Sequence, residues 1–226
     1  MLPQCRTTAA DLKRLEGLNP VIRQDKGKIM KQNVCKKCLS AGQKLLLKGG
    51  RCEGPNCSVA RKAAKTSQKP GFQKRPAKLS EYGQHLKEKQ KARIIYNISE
   101  KQLRLIFEKA LKAQGSTSEV LMQLLERRLD NIVFRLSFAI SRPQARQLIS
   151  HGKVSVNGKK VDIPSYSVKS GDLIKLNDKF ELYESEVPEW LKLDNKKKEG
   201  KVLNIPDREQ IPSEIEEQLI LEHYSR

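Results

Sequence analysis

Four cysteines near the start of this 226-residue chain have the spacing of a metal site. Cys35 and Cys38 enclose two lysines, and Cys52 and Cys57 follow after a glycine-containing loop. Two close pairs of cysteines joined by a loop can place four thiolates at the corners of a tetrahedron around Zn²⁺. Disulfide bonds and four unrelated buried cysteines are the alternatives. We expect one structural zinc ion, whose four thiolates leave no position for a catalytic water. Cys5 lies outside this set and is assigned no role.

A second group of candidate residues carries positive charge. Arg142 and Arg146 lie on the polar face of a predicted helix, and three lysines follow it at Lys153, Lys159 and Lys160. The first turn of a helix also presents unpaired backbone N–H groups and the positive end of the helix dipole, which together suit a phosphate. A solvated basic face without a ligand is the ordinary alternative, because surface cations are common. The charge of the whole chain favours the interpretation that this helix binds a phosphate.

The whole chain is strongly basic, with 45 Lys and Arg against 26 Asp and Glu, a net charge of +19 and a pI near 9.8. This balance indicates a polyanionic partner such as RNA. Residues 58–112 hold fifteen cations and four carboxylates, whereas residues 178–226 hold eight and thirteen, so the charge is not that of a nonspecific tail. Only 5% of residues are aromatic, so base stacking is not expected to dominate. RNA-binding proteins work in a reducing compartment, which disfavours disulfide bonds.

The charged segment after residue 140 is predicted to fold as a helix followed by a hairpin. Ser141 and Gln144 have the spacing of a capping box, with Pro143 tolerated in the first turn. Gly152 suits the left-handed position just past the helix. Asn157-Gly158 between two short strands is the strongest local signal for a tight hairpin turn. The helix and the hairpin would then present the five cations together.

Further elements are predicted on both sides of this segment from their caps and apolar spacing. In chain order they are a short amphipathic helix at 9–18, a basic loop at 58–78, a helix from about 81 to 96 capped by Ser80, a helix headed by Ser99 and Gln102, a helix headed by Ser116 and Glu119, a strand at 173–176, a charged, mobile block at 192–201 preceded by the anchor Trp190, an extended segment at 205–212 and a final helix headed by Ser213 and Glu216.

Several motifs follow one another between residues 34 and 226. They are Leu86-Lys87-Glu88-Lys89-Gln90-Lys91, Leu129-Asp130-Asn131-Ile132-Val133, the run 141–149, Val156-Asn157-Gly158-Lys159, Val161-Asp162-Ile163-Pro164-Ser165-Tyr166, Ile205-Pro206-Asp207-Arg208-Glu209 and Tyr224-Ser225-Arg226. In this order they resemble the family of the bacterial small-subunit ribosomal protein four, which contains a small RNA-binding module. The family usually has Pro-Gly-Gln-His-Gly where this chain has Pro70-Gly71-Phe72-Gln73-Lys74, so the histidine is missing here.

The resemblance implies an α+β fold. An N-terminal cysteine zinc knuckle and an all-helical domain would carry an inserted α/β RNA-binding module of short antiparallel strands. Some family members carry four cysteines at this place, which supports the zinc. The implied divisions are an extension at 1–33, the zinc knuckle and basic loop at 34–78, a helical domain at 79–124 completed by 202–226, and the module with its sheet at 125–201.

The resemblance also implies a function. The chain would be a structural constituent of the small ribosomal subunit that binds the five-prime domain of the small-subunit rRNA first, nucleates assembly, lines the mRNA entry path and influences translational accuracy. Its expected partners are that rRNA, neighbouring small-subunit proteins, especially protein five, and mRNA. No apolar run could span a bilayer, and no secretory signal is present, so we expect a soluble, cytoplasmic protein without a membrane partner. An organelle ribosome stays open as an alternative.

The candidate RNA-binding residues are polar or basic and are spread over the cysteine segment, the helices and the module. They are Lys36, Lys37, Lys48, Arg51, Arg75, Tyr82, Lys87, Lys89, Lys91, Arg93, Arg128, Arg135, Ser141, Arg142, Gln144, Arg146, Gln147, His151, Lys153, Asn157, Lys159 and Lys160.

Two other functions are weighed against this one. Pseudouridine synthases can carry the same module and have their catalytic aspartate in an Arg-Leu-Asp run, which Arg128-Leu129-Asp130 resembles. In those enzymes the module precedes a long catalytic domain, whereas only 50 residues follow Leu176 here, so we expect no enzyme. A ribosome-rescue or heat-shock factor built on the same module is the second alternative, and it predicts a much shorter chain without the cysteine knuckle.

Overall fold

The computed structural model describes residues 34–67, 79–177, 182–183, 186–211 and 215–225. Its helices are α1 (Val34–Ala41), α2 (Ser58–Ser67), α3 (Glu81–Ile95), α4 (Glu100–Lys112), α5 (Thr117–Glu126), α6 (Leu129–Arg135), α7 (Arg142–Ser150) and α8 (Glu217–Ser225), with 3₁₀ turns at Gly49–Cys52 and Arg208–Gln210. Its strands are β1 (Val154–Val156), β2 (Lys159–Lys160), β3 (Leu173–Leu176), β4 (Leu191–Asp194) and β5 (Glu199–Val202). None of these helices is both long and apolar enough to cross a membrane.

One hydrophobic core is built by helices α3, α4, α5 and α8. Leu103, Phe107 and Leu125 fill its centre, and Ile220 of α8 packs against them from the end of the chain. The caps predicted for α3 and α4 are confirmed, since the Ser80 hydroxyl accepts from the Gly83 N–H at 3.2 Å and Ser99 forms a capping box with its N3 residue. Local sequence therefore starts these helices, and the C-terminal helix completes their core.

A second core lies between helices α6 and α7 and one face of an antiparallel sheet in the strand order β2-β1-β3-β5-β4. Leu136, Ile149 and Ile174 are fully buried in it. Leu136 packs directly on strand β5, where a Cβ at Gly200 would lie 2.3 Å from its Cδ1 atom. The helices thus cover one face of the sheet closely. Together the two cores confirm the predicted α+β fold class.

The predicted hairpin turn between β1 and β2 is confirmed. Asn157 and Gly158 have φ angles of 50° and 76°, as a two-residue turn with two left-handed residues requires. The Asn157 side chain also accepts from the Leu173 N–H at 2.9 Å and donates to Asp172 at 2.8 Å. This asparagine, which was predicted to contact RNA, therefore holds the turn against strand β3.

The cysteine segment forms a third and much smaller core. Cys38, Ala41, Leu45 and Leu47 are buried in it, and Ile94 and Ile95 of α3 pack against them. All four cysteines of the described residues are free thiols. With four buried residues among those described, this core buries fewer apolar side chains than either of the other two.

Five predictions about local structure need correction. The Ser141 hydroxyl makes no capping bond. The Gln144 side chain accepts from the N–H of Ile140 at 2.8 Å, one residue before the Ser141 N–H of a capping box. The Ser116 hydroxyl pairs with Ser118 instead of capping α5.

The charged block at 192–201 is the hairpin of β4 and β5, and the extended segment at 205–212 contains the 3₁₀ turn Arg208–Gln210. The basic loop at 58–78 begins with α2, while its later residues, the helix at 9–18 and the Ser213 cap lie outside the described part of the chain.

Candidate nucleic-acid interface

The predicted RNA-binding residues separate into those whose cationic groups point into the protein and those that point outward. The inward set is centred on Glu126, the last residue of α5, which has no exposed surface. Its carboxylate accepts from the Tyr96 hydroxyl and from Asn131 Nδ2, each at 2.6 Å, and from two nitrogens of Arg135, each at 3.1 Å. Because Tyr96 belongs to the helical core and Arg135 to the module, this cluster joins the two units.

Arg142 extends the same cluster from the start of α7. Its Nε atom donates to Asn131 Oδ1 at 2.7 Å, and its guanidinium lies 4.6 Å from the ring centre of Phe134 and 5.1 Å from that of Tyr96. A flat guanidinium can hydrogen-bond in its plane and stack on aromatic faces at once. We call Tyr96, Glu126, Asn131, Arg135 and Arg142 the junction cluster.

Charges in the junction cluster stabilise one another. Burial alone would raise the pKa of Glu126, but Arg135 and Arg142 together hold it below the usual value, with the Tyr96 hydroxyl assisting. Burial and the nearby Glu126 raise the pKa of Tyr96 well above its usual value, so its hydroxyl stays a donor. Glu126 is therefore a buried carboxylate that is fully hydrogen-bonded.

Other residues that were predicted to contact RNA also form hydrogen bonds within the protein. Arg128 is 5% exposed and donates two hydrogen bonds to Asp130, at 3.1 and 2.7 Å. Asp130 is the aspartate of the Arg-Leu-Asp run, and its carboxylate is thus taken up by a buried ion pair. Arg128, Arg135 and Arg142, which were predicted to contact RNA, are thus each hydrogen-bonded to other side chains of the protein.

The predicted cations of α3 are only partly available. Lys89 and Lys91 are buried, and they pair with Glu100 at 2.8 Å and with Glu88 at 3.4 Å. Arg93 also pairs with Glu100, at 3.4 Å. In contrast, Lys87 is exposed. Helix α3 therefore offers RNA one lysine with a free surface and uses its other cations mainly to hold the helical core together.

The remaining predicted residues lie at the surface or close to it. Arg146 is half-buried and donates to the Asn97 carbonyl at 3.1 Å, and Gln144 reaches the Tyr183 hydroxyl at 3.2 Å. The exposed residues are Lys36, Arg51, Tyr82, Lys87, Gln147, His151, Lys159 and Lys160, and the half-buried ones include Lys37, Lys48, Ser141 and Lys153. Arg75 lies outside the described residues.

Three exposed lysines that the sequence did not indicate join this surface. Lys175 lies on β3, Lys192 on β4 and Lys201 on β5, all on the side of the sheet away from the helices. The alternation of Leu191, Leu193 and Val202 with lysines was the available signal, and it was hidden by the high charge of the segment. The outward surface is thus richer in lysine than predicted.

The four cysteines line one cavity together with Leu47 and Arg51. Burial raises the pKa of the Cys38 thiol, and the Leu45 N–H, which hydrogen-bonds to it, acts in the opposite direction. At the start of α2, the N–H groups of Ala60 and Val59 lower the pKa of Cys57.

The thiols surround the cavity without meeting at one point, and no three His, Cys, Asp or Glu side chains in the described segments are arranged to hold a metal ion as they stand. The donor set nevertheless fits zinc, since four free thiols share one cavity and backbone N–H groups support two of them.

Comparison with known proteins covers both units of the fold. Residues 30–126 match the family described as "Ribosomal protein S4/S9 N-terminal domain", and residues 127–174 match the "S4 domain". The chain is 48% identical over 201 residues to the small ribosomal subunit protein uS4 of Dictyoglomus turgidum, which covers 85% of this chain and 96% of the relative. It is 46% identical over 204 residues to that of Thermus thermophilus, covering 85% and 97%.

Proposed function

Since the chain belongs to the family of the small ribosomal subunit protein uS4, we propose that it binds the five-prime domain of the small-subunit rRNA and nucleates assembly of the subunit. Members of this family are structural proteins of the ribosome, so the prediction that the chain is not an enzyme is confirmed. The match along residues 30–126 also counts against a short rescue factor, because that alternative requires the module alone.

The observation that carries the proposal is the family match across the helical domain and the module together. The structure supports it, because outward cations occur on the cysteine segment, on α3 and on the module, while the junction cluster fixes helical domain and module in one arrangement. A rigid protein with cations on several units can hold several RNA helices at once through phosphates and shape.

The proposal extends to the neighbourhood of the protein in the ribosome. We infer contacts with small-subunit protein five and with mRNA at its entry path, an influence on translational accuracy, and a place in the cytoplasmic ribosome. The resemblance to the family supports these points. RNA contacts by Lys36, Lys37, Lys48 and Arg51 on the cysteine segment belong to the same proposal, and their position at the surface or near it is compatible with it.

A binding experiment tests the rRNA proposal. The protein is titrated with transcribed five-prime domain rRNA and with an unrelated structured RNA of equal length, across a series of salt concentrations. A basic protein binds both RNAs at low salt, so the comparison at high salt is decisive. We expect only the ribosomal RNA to keep tight binding there. An equal loss for both RNAs contradicts the proposal.

We also propose that Cys35, Cys38, Cys52 and Cys57 hold one structural zinc ion. Zinc would tie α1, the 3₁₀ turn and the start of α2 together, which compensates for the small core of this segment. The shared cavity and the N–H groups beside Cys38 and Cys57 support the proposal, because hydrogen bonds to sulfur stabilise zinc-bound thiolates.

Zinc content measured by mass spectrometry tests this site. Cys38→Ser is expected to lose the zinc and to expose residues 35–57 to faster amide hydrogen exchange. Cys5→Ser is the matched control, because it removes one thiol outside the set. Equal zinc content in the wild type and in Cys38→Ser contradicts the assignment.

A further inference from the structure

The sheet of the module has one covered face and one open face. Val154, Ile174 and Val202 point toward helices α6 and α7, and their neighbours along each strand point away. The open face carries one lysine for each strand, counting the residue that precedes β1. These are Lys153, Lys160, Lys175, Lys192 and Lys201, which we call the lysine face.

The strand register places these lysines close together. Ser155 pairs with both Lys160 and Lys175, so the two lysines lie on either side of it. Lys192 lies directly opposite Lys201. Like charges in directly opposite positions of antiparallel strands destabilise a sheet. The requirements of folding therefore do not account for this arrangement.

The carboxylates on the same face offset only one of its five lysines. Glu199 pairs with Lys175 at 3.2 Å, and Asp194 accepts the backbone N–H groups of the turn that follows it. Among the described residues, Lys153, Lys160, Lys192 and Lys201 have no carboxylate within ion-pair distance.

One end of the lysine face is a shaped concavity. Lys153, Ser155, Lys160 and Lys175 line it. The Lys160 side chain lies across Gly152, where an added Cβ would be 1.9 Å from its Cε and 2.7 Å from its Nζ. The backbone φ of +64° at Gly152 also favours glycine there. The ammonium is thus held over the protein surface beside a second lysine, which suits a phosphate oxygen.

We propose that the lysine face binds the phosphate backbone of RNA, on the opposite side of the sheet from α7. The ligand follows from the chemistry, because lysines act as point charges toward phosphates and the face has no exposed aromatic ring on its strands for reading bases. The inference rests on the proposed RNA-binding function and adds a second contact surface, including three lysines that the sequence did not indicate.

The test uses the full-length protein and the double variant Lys192→Gln/Lys201→Gln. Lys109→Gln/Lys112→Gln on α4 is the control, because it removes two exposed lysines one helical turn apart in the helical domain. Binding to the five-prime domain rRNA is measured across a salt series. The slope of log K against log salt is negative, and each lost phosphate contact reduces its magnitude by about 0.7–0.9. The magnitude of the slope should therefore be about 1.4–1.8 smaller for the face variant than for the wild type. The control should keep the wild-type slope.

Thermal unfolding separates this result from damage to the fold. The face variant should unfold at the wild-type temperature or above it, since it removes a pair of like charges. A slope equal to that of the control overturns the proposal that the lysine face binds RNA. The partner that then remains for this face is an acidic protein surface. That result leaves the proposed function intact if the wild type still prefers ribosomal RNA at high salt. If the wild type shows no such preference, the proposed function is contradicted. A less steep slope of the face variant with both RNAs would still support RNA binding by the lysine face.

Discussion

The arginines of the junction cluster and the lysines of the open sheet face lie in the same module, yet they differ in direction and in role. Arg135 and Arg142 point inward, where a carboxylate, an amide and two aromatic rings satisfy their planar groups. Lys192 and Lys201 point outward, where the compact ammonium group stays hydrated until a polyanion arrives. Positive charge in this module is therefore divided between a buried cluster that positions the module and an outward surface that we propose contacts RNA.

The strongest test of the inward group removes its carboxylate. Glu126→Gln keeps the shape but leaves Arg135 without its counter-charge in the interior. Breaking a buried ion pair on one side costs about 3–5 kcal/mol. We expect a loss of this size in the free energy of unfolding, measured by urea denaturation. Glu119→Gln on the exposed side of the same helix is the control and should change stability by less than about 0.5 kcal/mol.

Acid should remove the difference in stability between the wild type and Glu126→Gln. The pKa of Glu126 is lower in the folded state than its usual value of 4.5, so its carboxylate stabilises the fold above that pH. This contribution is lost as the pH falls through the folded-state pKa. The stability gap between the wild type and Glu126→Gln should be constant at neutral pH and shrink below about pH 4.5. A gap that stays constant down to acid unfolding would show that the charge of Glu126 is not what matters.

Arg142 should give a smaller loss of stability. Arg142→Gln removes a charge-assisted hydrogen bond to Asn131 and the stacking on Tyr96 and Phe134. We expect a cost of about 2–3 kcal/mol in urea denaturation. If this variant is as stable as the wild type, the guanidinium is not held in the interior and belongs with the outward cations.

The two faces of the sheet offer a matched pair of substitutions. Gly200→Ala places a methyl group against Leu136 on the covered face and should cost about 1–3 kcal/mol through overpacking. Lys201→Ala, the next residue, points to the open face and should change stability by less than about 0.5 kcal/mol. Equal effects on the melting temperature would contradict the assignment of the two faces.

Arg146 lies between the two groups, since it is half-buried and bonded to the Asn97 carbonyl. Arg146→Ala is expected to reduce stability by about 0.5–1.5 kcal/mol and the salt slope for rRNA by about one phosphate contact. The slope is measured by filter binding. An unchanged slope with reduced stability would place Arg146 among the inward arginines.

Local signals allowed much of this fold to be predicted from the sequence. Asn157-Gly158 specifies its turn, and Ser99 with Gln102 specifies the start of α4, because these bonds join residues within three positions of one another. The hairpin of β4 and β5 was missed because its lysines resemble a solvated segment, while only Leu191, Leu193 and Val202 mark the buried side.

The direction of the arginines could not be predicted in this way. Arg142 looks like a phosphate contact on its own helix, and its partners Tyr96 and Asn131 meet it only through tertiary packing. No helical or strand period relates these positions. The same holds for the lysine face, whose members come from five separate segments and become neighbours only when the sheet forms.

The most direct test of this account compares one residue from each group in the same assay. Arg142→Gln and Lys160→Gln each remove one positive charge, and the salt dependence of five-prime domain rRNA binding is measured for both. A constant fraction of unfolded protein shifts the apparent affinity but not the slope, so the lower stability of Arg142→Gln does not obscure the result. The slope should fall by about 0.7–0.9 for Lys160→Gln and stay at the wild-type value for Arg142→Gln. Equal reductions in both variants would contradict the division of inward and outward cations.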